Sequence, residues 1–97
     1  MLDVRRTRYF KDWFDALRDI RAKAKIARRI ERAQNGNLGD VAPVGDGVSE
    51  MRVHYGPGYR IYFVRRETEI VILLCGGDKG SQTRDIENAK KMAKELD

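Results

Sequence analysis

A chain of 97 residues, 41% hydrophobic and 36% charged, has room for one domain with one modest core, and it excludes both a two-domain protein and an unfolded one. Its 20 Lys and Arg against 15 Asp and Glu give a net charge of +5, which suits nucleic acid, anionic lipid or an acidic partner protein and chooses among none of them. No run approaches the roughly 20 apolar residues a membrane span needs, and no apolar stretch follows the N-terminal charges as in a signal peptide, so a soluble, cytoplasmic chain without membrane association is expected. Residues 2–6 (LDVRR) alternate weakly and predict a short first strand. Thr7 suits the cap of a helix beginning at Arg8, in which Phe10, Trp13, Phe14 and Leu17 share one apolar face. Asp19 suits the cap of a second helix, with Ile26, Ala27, Ile30 and Ala33 on one side. Arg21, Lys23, Lys25, Arg28, Arg29 and Arg32 cover much of the rest, and Asn35-Gly36 supplies a left-handed stop. Residues 8–35 therefore read as a helical hairpin with a basic outside.

Residues 36–47 (GNLGDVAPVGDG) read as a loop punctuated by Gly and Pro. Three strands are predicted next, at Val48–His54, Tyr59–Arg66 and Glu69–Cys75. The links between them are short, which requires antiparallel neighbours. The third strand is apolar on both faces and is expected to be central and doubly covered. It ends at Cys75, the single cysteine, which rules out an intrachain disulfide, reads as a buried strand residue and fits a reducing cytosol. Residues 76–80 (GGDKG) read as a turn, and Ser81 or Thr83 as the cap of a last helix. In that helix Ile86, Ala89, Ala93 and Leu96 share one side, and acidic residues early and lysines late follow the helix dipole. The class is α+β, in the order β-α-α-β-β-β-α, as a single domain over 1–97.

Strand alternation gathers one candidate site. Arg52 and His54 share a face with Glu50, and Arg60 and Tyr62 share one on the next strand, all near the Tyr55–Gly58 turn. Two guanidiniums, an imidazole and a phenol suit a phosphate with stacking capacity. The same residues also read as ordinary structure: Arg52 and Arg60 as solvated strand residues or partners of Glu50, the tyrosines as strand formers, and the lone His54 as a structural or exposed residue. A second candidate is Gly76–Gln82, where glycine amides and the following helix start favour an anion. Lys79 would contact phosphate or move a proton there, although an ordinary strand-to-helix turn explains the same residues. The basic helical face is a third, as an RNA contact or a solvated surface. Metal-spaced His and Cys clusters are missing, so no metal and no cofactor are expected. No serine or cysteine triad can be assembled.

The runs GNLGDVAPVGDGVSEMRVHYGPGYRIYF and ILLCGGDKGSQTRDIENAK, with the Trp13-Phe14 helix, resemble the RelE/ParE toxin superfamily, in its HigB-like, phage-derived "addiction module killer" branch. The resemblance spans nearly the whole chain. It implies a helical hairpin on a small antiparallel sheet, and the toxin of a type II toxin–antitoxin system with a cognate, helix-turn-helix antitoxin. It further implies metal-independent cleavage of mRNA on the ribosome, and hence an mRNA interferase that inhibits translation. In that chemistry a ribose 2′-OH attacks the adjacent phosphate, arginines stabilise the developing charge and a His, Lys or Tyr moves protons. On this chain the roles would fall to Arg52 and Arg60 for charge and to His54 and Lys79 for protons. Tyr62 and Tyr55 would stack on or orient bases, and Lys25, Arg28, Arg29 and Gln82 would contact RNA. One departure stands out. RNA-cleaving relatives often carry a catalytic tyrosine near the C-terminus, and here Thr83–Asp97 holds no His or Tyr. The superfamily also contains ParE-type members that poison DNA gyrase without cutting RNA, which is the alternative function.

Overall fold

The computed structural model describes residues 1–96. The elements are β1 (Asp3–Arg6), α1 (Arg8–Ala16), α2 (Ile20–Gln34), β2 (Val41–Gly45), β3 (Val48–Val53), β4 (Tyr59–Arg66), β5 (Ile70–Asp78) and α3 (Gln82–Glu95), with one 3-10 turn at Lys79–Ser81. The α+β class is as expected. The sheet is mixed and not the small antiparallel one expected. Its five strands run in the order β1-β5-β4-β3-β2, with β1 parallel to β5, because α1 and α2 carry the chain back across one face, and every other pair antiparallel. No described helix is long and apolar enough to cross a membrane.

Local chemistry sets the helix ends. Thr7 Oγ1 accepts from the Phe10 N–H at 3.1 Å and donates to the Leu74 carbonyl at 2.6 Å, which starts α1 and ties it to β5. Asp19 Oδ1 accepts from the N–H groups of Arg21 and Ala22 and starts α2. Gly36, at φ +94°, lies just past its end. Ser81 precedes α3 but makes no side-chain cap; Asp78 instead accepts from the N–H groups of Gly80 and Ser81 and closes the 3-10 turn.

Helices cover both faces of the sheet. Phe10, Ile26 and Ile30 from α1 and α2 pack with Met51, Ile61, Phe63 and Leu73. On the opposite face Ala89 and Ala93 of α3 pack with Val48, Tyr62, Val64 and Leu74. Each large side chain so buried contributes about 1.5–3 kcal/mol. β5 lies inside the sheet and is covered on both sides, as its apolar run predicts.

The strand reading is corrected in two places. Residues 36–47 are not all loop, because β2 pairs with β3 (Val41↔Met51, Ala42↔Glu50, Pro43↔Ser49). Pro43 is tolerated because β2 is an edge strand. Asp46 (φ 56°) and Gly47 (φ 78°) form the two-residue turn, both in the left-handed region that such hairpins require. Likewise β5 does not stop at Cys75. It continues through Gly76 and Gly77, opposite Ile61 and Arg60.

Candidate functional site

The turn between β3 and β4 opens a cleft of about 450 Å³. Arg52, His54, Arg60 and Lys79 all line it, so the four residues expected to act on phosphate stand around one space. Register brings them there. Arg52 pairs with Arg60, and Tyr59 pairs with Asp78, so Lys79 follows at the rim. The Lys79 N–H also reaches the Pro57 carbonyl at 3.4 Å.

Two carboxylates organise these cations. Glu50 is buried, at 3% exposure. Its Oε2 accepts from Arg52 Nε at 3.1 Å, and its Oε1 stands 3.6 Å from Arg60 Nε, an ion-pair distance rather than a hydrogen bond. Gln82 Nε2 donates to both oxygens, at 3.0 and 3.3 Å. Arg60 Nη1 is held by the Gly58 carbonyl at 2.8 Å.

Asp40 is the second carboxylate. Its Oδ2 lies 2.6 Å from His54 Nε2 and its Oδ1 3.9 Å from Arg52 Nη1. The hydrogen bond with His54 is the largest influence holding the Asp40 carboxyl below its usual range, and partial desolvation opposes it. His54 is otherwise open, with a side chain 75% exposed.

A second, smaller cleft of about 200 Å³ lies between α2 and the end of β3, lined by Lys25, Arg28, Arg29, Arg32 and His54. His54 borders both clefts. Lys25 Nζ sits 5.3 Å from the centre of the Tyr55 ring, within cation–π range.

Residues 12–96 match the family model described as "Phage derived protein Gp49-like (DUF891)". The chain belongs to the Gp49-like family. This is a RelE-like toxin family of addiction modules. A relative from Haemophilus influenzae, described as an uncharacterized protein, is 47% identical over 95 residues, covering 98% of this chain and 96% of its own.

Several expected roles do not survive the geometry of this Gp49-like chain. Tyr62 has 0% exposure and lies under α3, so no base can stack on it. Alternation gives two faces but not what covers each, and α3 covers this one. Burial also pushes the Tyr62 hydroxyl far above its ordinary range, so it stays protonated. Arg29 is half-buried and donates to the carbonyls of Arg52 and Leu38. It borders the smaller cleft, but its two Nη atoms are engaged in tying α2 to the sheet. Gln82 is occupied by Glu50.

Gly76 and Gly77 do not cradle an anion. A Cβ on Gly76 would collide with the Trp13 indole, and one on Gly77 with the Asp85 carboxylate and Ser81 Oγ. They are small so that α1 and α3 can approach the strand. Sequence reasoning missed Asp40. The hairpin signal Asp46-Gly47 could have found it, since pairing β2 with β3 sets Asp40 beside Arg52, whose N–H donates to the Asp40 carbonyl at 2.9 Å.

Proposed function

We propose that this Gp49-like protein is the toxin of a type II toxin–antitoxin pair and that it cleaves RNA in the larger cleft. One observation carries the reading. Two arginines, a lysine and a histidine converge on a single open space, with buried Glu50 tethering the arginines. Such a set suits phosphodiester cleavage. Arg52 and Arg60 neutralise charge on the phosphoryl oxygens. His54, whose Nε2 is engaged by Asp40, takes the proton of the 2′-OH at Nδ1. The 2′-oxygen attacks phosphorus, the bond to the 5′-oxygen breaks, and Lys79 gives that oxygen a proton. The products are a 2′,3′-cyclic phosphate and a 5′-hydroxyl.

Lys25 and Arg28, exposed in the neighbouring cleft, contact flanking phosphates, and Tyr55 adds an aromatic surface beside Lys25. The substrate is mRNA on the ribosome in the cytoplasm, and a helix-turn-helix antitoxin encoded nearby restrains the activity. Primer extension on translated transcripts after induction tests the reading. New 5′ ends inside open reading frames are expected, whereas intact transcripts alongside growth arrest would overturn it.

A second reading has its own observation. α3 brings no free catalytic side chain to the cleft, since Gln82 is already bonded to Glu50. That favours a ParE-type toxin that binds DNA gyrase without cutting RNA. Supercoiling assays with purified protein separate the two, because unaffected gyrase removes this option.

A further inference from the structure

Glu50 is the one buried charged residue among the buried side chains described, and RNA cleavage as written above gives it no step. A lone ionised carboxylate at such a position is very unfavourable unless it is paired and hydrogen-bonded. Here every partner belongs to the cleft or to its support. Arg52 Nε donates at 3.1 Å, Gln82 Nε2 at 3.0 and 3.3 Å, and Arg60 Nε lies at 3.6 Å. Arg52 and Arg60 are directly opposed in the β3–β4 register, a placement in which like charges repel. The single negative charge beside both offsets that repulsion. It does so through the Nε edges, while the Gly58 carbonyl holds Arg60 Nη1 and Asp40 stands 3.9 Å from Arg52 Nη1, so each guanidinium is fixed from two sides beside the cleft.

We propose that Glu50 is the positioning residue of the cleft: it sets the orientation of Arg52 and Arg60 toward a bound phosphodiester, and Gln82 braces it from α3. This rests on the RNA-cleaving reading for its effect on rate, but not for the arrangement itself. It also gives α3 a part in a site to which it contributes no reacting group. A displacement of α3 would be felt at the arginines through Gln82 and Glu50.

The test pairs a rate with a spectrum. Glu50→Gln keeps the size of the side chain and removes its charge. Its kcat on RNA is expected to fall on the order of 10²-fold, the scale of an ångström-level misplacement. KM is expected to hold or fall, because the site becomes more positive as it loses order. Loss of a merely structural group would not produce that split. In ¹H–¹⁵N spectra the Nε–H signals of Arg52 and Arg60 should be sharp and slow to exchange in the unaltered protein, and broadened in Glu50→Gln. Gln82→Ala leaves the charge in place and is the variant to use if Glu50→Gln does not fold. It should lower kcat less, again at unchanged KM. Wild-type kinetics in the folded variants, or arginine signals indifferent to them, would overturn the proposal. If the unaltered protein cuts no RNA, the cleavage reading falls, and the arginine signals alone decide whether Glu50 orients the pair.

Discussion

Arg52 and Arg60 stand directly opposite one another on β3 and β4, with the Glu50 carboxylate beside both Nε atoms. Truncating either arginine therefore has two effects. It removes a donor from the phosphate and leaves a buried carboxylate with one counter-charge fewer. Arg52→Ala and Arg60→Ala should each slow cleavage by about 10²–10³-fold. Each should also lose about 3 kcal/mol of stability, the low end for a broken buried pair because one arginine remains. Urea unfolding beside the cleavage assay checks both effects. The double variant should lose more stability than the sum, since it leaves the buried Glu50 carboxylate with neither arginine.

Trp13 and Gly76 are matched by shape. With no room for a Cβ against the indole, Gly76→Ala should cost about 1–3 kcal/mol through overpacking. In a Trp13→Ala background, where the indole is gone, the same change should cost almost nothing. Thermal melts of the four proteins complete the cycle, and equal costs in both backgrounds would refute the contact.

Asp40 titrates low chiefly because of its hydrogen bond with His54. A carboxyl depressed in the folded state contributes stability above its unfolded pKa of about 3.9, and the contribution disappears as pH falls through the folded value. The affected window therefore lies in acid, below the ordinary aspartate range. Following the Asp40 carboxyl carbon by NMR, His54→Ala should move its midpoint upward. An unmoved midpoint would show that the pair does not form in solution.

Cys75 is held as a thiol, with its pKa pushed up to about 12 by burial and, secondarily, by Asp85. At pH 8 its thiolate fraction should be on the order of 10³-fold smaller than that of an ordinary cysteine. A disulfide reagent should accordingly label the native protein very slowly and the urea-unfolded protein at once. Fast native labelling would mean that the strand opens there.

Lys25 and Arg29 share a cleft but should behave differently. Lys25→Glu with Arg28→Glu should weaken RNA binding and shrink its salt dependence by about 0.7 in log–log slope per lost contact, leaving kcat intact. Arg29→Ala should instead lower stability, because its guanidinium holds the carbonyls of Arg52 and Leu38. Salt-titrated binding and unfolding curves distinguish the two effects.

Short-range signals made much of this fold legible. Thr7 and Asp19 mark helix starts because a cap is a local bond, and Phe10 and Trp13 mark a face because helix spacing is local. Alternation through Arg52, His54 and Arg60 was enough to bring three cleft residues to one hairpin, and the adjoining turn brought Lys79. Long-range placement was not legible. Nothing near Tyr62 announces that α3 will lie over it, and nothing near Gly76 announces Trp13. β2 was hidden for another reason. Its glycines and Pro43 have the composition of a loop, and only the Asp46-Gly47 turn marks it as half of a hairpin.

The pairing of β1 with β5 has a consequence for the order in which the molecule comes into being. Of the five strands described, β1 leaves the ribosome first and its neighbour β5 last. Until residues 70–78 emerge, β1 has no ladder to join, and Phe10 and Trp13 of α1 lack the strand they pack on. Closing so long a loop is the slow kind of folding step. Lys79 follows immediately behind, so a nascent chain halted before β5 holds two helices and a three-strand meander but not the completed cleft. A fragment that ends before Lys79 would thus lack one wall of the cleft, whatever the rest of it had folded.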